Sequence, residues 1–243
     1  MRTIHVLTRK EEIVPEKLTH CTAIIIDVLL ATTTIATALH HGVKQVIPAL
    51  DRKEALALAA DFLEGSFILS GEKGGYPYPG FCHPDPFSLI QCNLAGKTLI
   101  YATTNGTVAI RRSSLAKEVY TASLINGAAV ARQIAEADQQ HSVLIVCAGS
   151  EERFALEDFL GAGYVISELL RLRPHHWSLT DAAQAAADVF AQRSHELEHA
   201  LAGSNTGALL KKLGYAESIP YAALPGILPV VPLLVGNGIV RLS

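Results

Sequence analysis

One segment, Ile24-Ile25-Ile26-Asp27-Val28-Leu29-Leu30-Ala31-Thr32-Thr33-Thr34, restricts the possible folds more than any other. An unbroken aliphatic run of strand length belongs to a strand covered on both faces, as in the parallel sheets of α/β proteins. One carboxylate stands at its C-terminal end, and three hydroxyls follow where the next helix should begin. In open α/β sheets this junction faces the crevice where ligands bind. Helix N-termini there offer free N–H groups to an anion, and a carboxylate can hold a cation that bridges to it. Taken alone, the same residues also describe an acid that closes a core strand beside a Thr-rich cap.

The alternation continues along the chain. Strands are predicted at 3–7, 23–28, 45–49, 66–70, 98–102, 118–121 and 142–147, with helices near 32–41, 52–64, 126–138 and 155–172. Asn126 is a plausible N-cap for the third of these helices. Such alternation predicts an α/β fold with a mainly parallel sheet covered by helices. From about Ser178 the pattern shifts to Ala-rich helices and a Pro-punctuated apolar tail. The expected division is therefore a core at 1–174 and a helical, Pro-rich part at 175–243 packed on it.

Composition removes several classes of function. Hydrophobic residues make up 49% of the 243 and charged residues 18%, which excludes a disordered chain. A formal net charge of −3 without a Lys/Arg cluster lacks the footprint of a nucleic-acid binder, so a small-molecule partner is expected. Of the two most apolar stretches, 22–39 carries Asp27 and the Thr cluster, while 224–240 carries Pro225, Pro229, Pro232, Gly226 and Gly236, so no membrane span is expected. Met1 to Lys10 has no signal-length apolar core, and Cys21, Cys82, Cys92 and Cys147 read as scattered reduced thiols. Both features predict a cytoplasmic protein. A zinc site from Cys82, His83 and Cys92 matches no standard spacing.

Three more segments fall where a site is expected. Thr103-Thr104-Asn105-Gly106-Thr107 follows a strand and repeats the hydroxyl-rich junction, a concavity suited to phosphate oxygens or an ordinary capped turn. Glu157-Asp158 sits among Phe154, Ala155, Leu156, Phe159 and Leu160, where carboxylates are costly unless paired or bound to metal. Gly71-Glu72-Lys73-Gly74-Gly75 opens a Gly/Pro/aromatic loop reaching about Ser88, long enough for a binding loop or lid. Separately, His195-Glu196-Leu197-Glu198-His199 has zinc-hydrolase spacing, although Glu198 and the polar Gln192, Arg193 and Ser194 favour a solvated helix face.

In order along the chain, Asp27, Ala31-Thr32-Thr33-Thr34, Gly71-Glu72, Gly80-Phe81, Thr103 to Thr107, Asn126, Cys147-Ala148-Gly149, Glu157-Asp158 and Ala162-Gly163 match a family pattern. Through them the chain resembles the 2-phosphosulfolactate phosphatase (ComB) family, over about residues 24–163. The resemblance implies a three-layer α/β/α fold and a Mg²⁺-dependent phosphatase that hydrolyses the small anionic phosphomonoester (2R)-2-phospho-3-sulfolactate to 3-sulfolactate, in coenzyme M synthesis or sulfolactate production. It also suggests a homodimer.

On this reading Asp27, Glu157 and Asp158 are the metal or nucleophile-positioning carboxylates, and Glu72 is a further catalytic acid. Thr32, Thr33, Thr34, Thr103, Thr104, Asn105, Gly106, Thr107 and Asn126 form the phosphate or sulfonate cradle. Aspartyl-phosphate enzymes of the haloacid-dehalogenase type place a second Asp two residues on, and Leu29 stands there. Asp27 therefore ranks as metal ligand ahead of nucleophile. Two departures stand out: Leu30 replaces the family's Arg before Ala-Thr-Thr-Thr, and Cys82-His83-Pro84-Asp85-Pro86-Phe87 replaces a polar loop. His83, Lys73 and Arg153 are the residues that can restore positive charge. The alternatives are a diverged member that binds a small anion without turnover, and a zinc hydrolase built on His195 and His199.

Overall fold

In the computed structural model, which describes residues 1–137 and 139–242, the aliphatic segment forms β2 (Cys21–Ile26), buried at every position. Its alternation splits two cores, with Ile24 and Ile26 facing one and Ala23 and Ile25 the other. The other strands are β1 (Arg2–Leu7), β3 (Gln45–Ala49), β4 (Phe67–Lys73), β5 (Tyr76–Pro77), β6 (Thr98–Ala102), β7 (Glu118–Ala122), β8 (Ser142–Cys147), β9 (Trp177–Leu179), β10 (Pro232–Val235) and β11 (Gly238–Arg241). The helices are α1 (Ala31–His40), α2 (Arg52–Ala59), α3 (Pro86–Ile90), α4 (Gly106–Arg112), α5 (Gly127–Glu136), α6 (Leu156–Leu172), α7 (Asp181–Arg193), α8 (Leu197–Ala202), α9 (Asn205–Leu213) and α10 (Ser218–Ala222). The helix expected over 126–138 reaches Glu136, and residue 138 lies outside the described residues.

These strands form one sheet in the order β5-β4-β6-β3-β11-β10-β7-β2-β8-β1-β9. It contains two parallel blocks, β4-β6-β3 and β7-β2-β8-β1-β9. The α/β class is as the alternation predicts. Between the blocks, however, the hairpin β10–β11 is inserted antiparallel to both neighbours. The tail expected to pack on the core therefore runs through the middle of its sheet, and β9 from the same part forms an edge. Pro232 is tolerated because it is the first residue of its strand.

Each side of the hairpin is coupled to its neighbour through a single residue pair, Leu233 to Tyr120 and Ile239 to Val46. Helix α1 packs there, touching β3, β7 and β10, and its buried Ile35 and Leu39 join a core with Val46, Val119 and Ile239. On the opposite face, α5 to α8 cover the larger block. This arrangement brings the carboxyl ends of β2, β4, β6 and β8 toward the first turns of α1 and α4. Among the described residues, no helix is long and apolar enough to cross a membrane.

Candidate active site

The Asp27 carboxylate follows β2 and lines a cavity of about 670 Å³, open mouth included. The Ala31 amide donates to its Oδ1 at 3.3 Å, while no protein group among the described residues hydrogen-bonds Oδ2. Oδ2 lies against Gly106, the first residue of α4. A Cβ at Gly106 would sit 2.6 Å from that oxygen and 2.4 Å from the Ala31 Cβ. Glycine is therefore required here for close approach, which brings the start of α4 onto the start of α1. Gly106→Ala is expected to lower stability by about 2–3 kcal/mol through overpacking and to move Asp27, reducing any turnover that depends on that carboxylate at least tenfold. Thermal melts and activity measured on the same preparation test this.

Three further carboxylates adjoin Asp27. Glu72, near the end of β4, lines the same cavity and accepts hydrogen bonds from the Thr104 amide at 2.6 Å, the Thr104 hydroxyl at 3.0 Å and the Gly75 amide at 2.6 Å. The segment expected as a long loop from Gly71 is instead the end of β4, the short strand β5 and a return into α3, with Glu72 clasping the turn. Asp158 is buried in the first turn of α6, and its two oxygens accept from the Val28 amide at 2.9 Å and the Gly149 amide at 3.0 Å. It thereby ties together the ends of β2 and β8. Glu157, also buried, lines an adjoining cavity that shares Ser150, Glu151 and Thr206 with the first.

Little positive charge balances this group. Burial pushes the Asp27 carboxyl up to about 7; the Ala31 amide and Lys10 oppose the rise, and the charges of Glu72 and Glu157 add to it. Burial also raises Asp158, reinforced by Asp27 and Glu157. Lys10, absent from the sequence expectation, is buried, with Nζ 2.8 Å from both Asn105 Oδ1 and Glu11 Oε1. Nothing local marks it as part of the site, because its partner Asn105 lies 95 positions away.

The expected cradle divides into two groups. Thr103, Thr104 and Asn105 line the cavity. Thr32, Thr33 and Thr34 do not: they are fully buried, and their hydroxyls donate to the carbonyls of Asp27, Val28 and Pro84 at 2.8, 2.8 and 2.9 Å. They lock the strand-to-helix turn and dock the loop at Pro84. Thr107 is buried and bonds back to the Thr103 carbonyl at 2.9 Å. Asn126 accepts from the Ser123 amide and donates to the carbonyls of Thr121 and Val230, which ties the start of α5 to the tail.

The zinc readings do not assemble. His195 lies in a 3₁₀ turn and His199 in α8, so the two are not one turn apart on a single helix, and both are exposed. Cys82 and Cys92 sulfurs approach to 2.7 Å, but the neighbouring His83 Nδ1 is engaged by Asp85. Among the described residues, no three His, Cys, Asp or Glu side chains group at metal-holding spacing.

Fold and cavity together define an α/β protein with a carboxylate-lined cavity at the carboxyl ends of its strands. The comparison with known families is more specific. A model of the 2-phosphosulpholactate phosphatase family matches residues 7–237, and the chain belongs to that family. A relative from Symbiobacterium thermophilum, described as a probable 2-phosphosulfolactate phosphatase, is 36% identical over 229 residues, covering 94% of this chain and 97% of its own. Relatives with the same description from Caldanaerobacter subterraneus subsp. tengcongensis and Clostridium acetobutylicum are each 34% identical, over 90% and 94% of this chain and 90% and 96% of their own.

Proposed function

We propose that this protein is a phosphomonoester hydrolase that converts (2R)-2-phospho-3-sulfolactate to 3-sulfolactate and phosphate, with Mg²⁺ as its cofactor. Family membership and the descriptions of its relatives support the substrate. The observation that supports the metal is the buried trio Asp27, Glu157 and Asp158, with the half-buried Glu72 on the same cavity and Lys10 facing Asp27. Such a group is stable only when protonated or neutralised by a cation.

The donor set fits Mg²⁺. This ion takes hard oxygen ligands and is usually held by one or two carboxylates together with waters and substrate phosphate, so it does not require three protein ligands in a preformed cage. Asp27, with Oδ2 unbonded, and Glu157 would hold it. Asp158 is committed to two amides and sets the positions of the strand ends that carry Asp27 and Gly149. When bound, Mg²⁺ supplies charge neutralisation at the phosphoryl oxygens, the main requirement of phosphoryl transfer.

The chain's own residues orient and enclose. Glu72 fixes the amides of Gly75 and Thr104 and so shapes the acidic rim. Ala31 holds the Asp27 carboxylate by its Oδ1, which leaves the other oxygen beside Gly106. Leu30, Leu209 and Leu210 form an apolar wall that excludes water from one side. Turnover of phosphosulfolactate is expected to stop in EDTA and return with added Mg²⁺ but not Zn²⁺. Turnover undiminished by EDTA would remove the metal from this reading.

A further inference from the structure

Among the described residues, the cavity that holds Asp27 has three carboxylates on its wall, Asp27, Glu72 and Glu151, and no lysine or arginine. Of the residues that sequence offered as sources of positive charge, Lys73 and Arg153 line neighbouring cavities, and only His83 lines this one. Beyond the cation that the carboxylates would hold, an anion with two or more charged groups needs a further contact from this wall.

His83 is built for that task. Its side chain is 10% exposed, its Nδ1 lies 2.9 Å from Asp85 Oδ2, and its ring stacks on Tyr215 with centroids 3.6 Å apart and planes inclined by 21°. Asp85 is itself fixed, since its Oδ1 accepts from the amides of Phe87 and Ser88 at 3.1 Å each. Burial opposes ionisation of Asp85, but the bonds from His83 and Ser88 hold its carboxyl below the ordinary range, so it stays charged and accepts the hydrogen bond from Nδ1. With Nδ1 committed and the ring clamped, the remaining nitrogen has one orientation. That nitrogen, Nε2, is buried and has no hydrogen-bond partner among the described residues. Buried polar atoms of this kind are costly unless a ligand completes them.

We propose that His83, oriented by Asp85 and Tyr215, is the cationic anchor of the anion bound beside Asp27, donating from Nε2 to an oxygen of a phosphoryl or sulfonate group. The proposal rests on the reading of this cavity as an anionic-substrate site but not on turnover itself. Asp85 acts through the imidazole and is a positioning residue.

The test is calorimetric titration of the purified protein with inorganic phosphate and, separately, with 3-sulfolactate, for wild type, His83→Ala and His83→Gln. His83→Ala is expected to weaken at least one ligand by roughly ten- to a hundredfold, as for loss of one charge-assisted hydrogen bond. His83→Gln, which retains a donor without the charge, should recover part of the loss. Loss for phosphate places Nε2 at the phosphoryl end, and loss confined to sulfolactate places it at the sulfonate or carboxylate end. Dissociation constants within twofold of wild type for both ligands in both variants would overturn the proposal, as would a wild-type protein that binds neither ligand at millimolar concentration. Histidine-dependent binding without phosphatase turnover would defeat the hydrolase reading alone. Normal turnover with an unchanged KM in His83→Ala would defeat this inference alone.

Discussion

Asp27→Asn is expected to reduce phosphosulfolactate turnover at least about a thousandfold while leaving the protein as stable as wild type or more so. Both effects come from the same feature. Asp27 is 7% exposed and its carboxyl is pushed up to about 7, so ionising it costs the folded state free energy that the unfolded chain does not spend. The sign follows directly. Between pH about 4 and 7 the folded protein binds more protons at this position than the unfolded chain, so stability falls as pH rises through that window, by up to a few kcal/mol, and levels off above it. Asparagine keeps the shape, can still accept from the Ala31 amide, and never ionises. In EDTA, the melting temperature of wild type should drop between pH 5 and 8, and the variant should lose the Asp27 share of that drop. Burial also raises Asp158, so some pH dependence will remain.

A chain ended at Val231 is expected not to fold, giving no cooperative thermal transition and no activity. The deletion removes β10 and β11, which separate β3 from β7 inside the sheet, together with the fully buried Ile239. Two interior strands would become unpaired edges, and the core above α1 would lose a wall. The loss exceeds the net stability typical of a domain, about 5–15 kcal/mol. Circular dichroism and a melt of the purified fragment test this. A cooperative transition would show that the two parallel blocks hold without the hairpin.

The places of the carboxylates were more legible in the sequence than the bonds of the hydroxyls. Asp27 stands out because a lone acid at the end of an aliphatic run has few structural uses, and Glu157-Asp158 because acids among Phe and Leu need a reason. The hydroxyls of Thr32, Thr33 and Thr34 looked equally available, but all three satisfy backbone carbonyls, one of them 50 positions away at Pro84. Asn126 and Asp158 likewise bond groups 104 and 130 positions distant, which no local pattern encodes.

The largest miss in the fold, the β10–β11 hairpin, did leave a signal. Gly236-Asn237 lies between two aliphatic runs, which is hairpin chemistry, and Gly236 adopts φ 59°. The surrounding Pro225, Pro229 and Pro232 obscure that signal, since prolines suit an irregular segment equally well. The wall formed by Thr206, Leu209 and Leu210 comes from α9, about 180 positions from Asp27, and no local pattern connects the two. In the sequence His83 is one of three residues, with Lys73 and Arg153, that can restore positive charge. Its geometry, with Asp85 behind it and Tyr215 over it, appears only in the folded chain.

The most direct measurement follows the phosphorus NMR signal of 2-phosphosulfolactate mixed with purified protein and Mg²⁺, wild type beside Asp27→Asn. Conversion to inorganic phosphate by wild type, with no detectable conversion by the folded variant, is the expected result. An unchanged phosphoester signal with well-folded wild type, or equal conversion by both proteins, would contradict the assignment of hydrolysis to the Asp27 cavity.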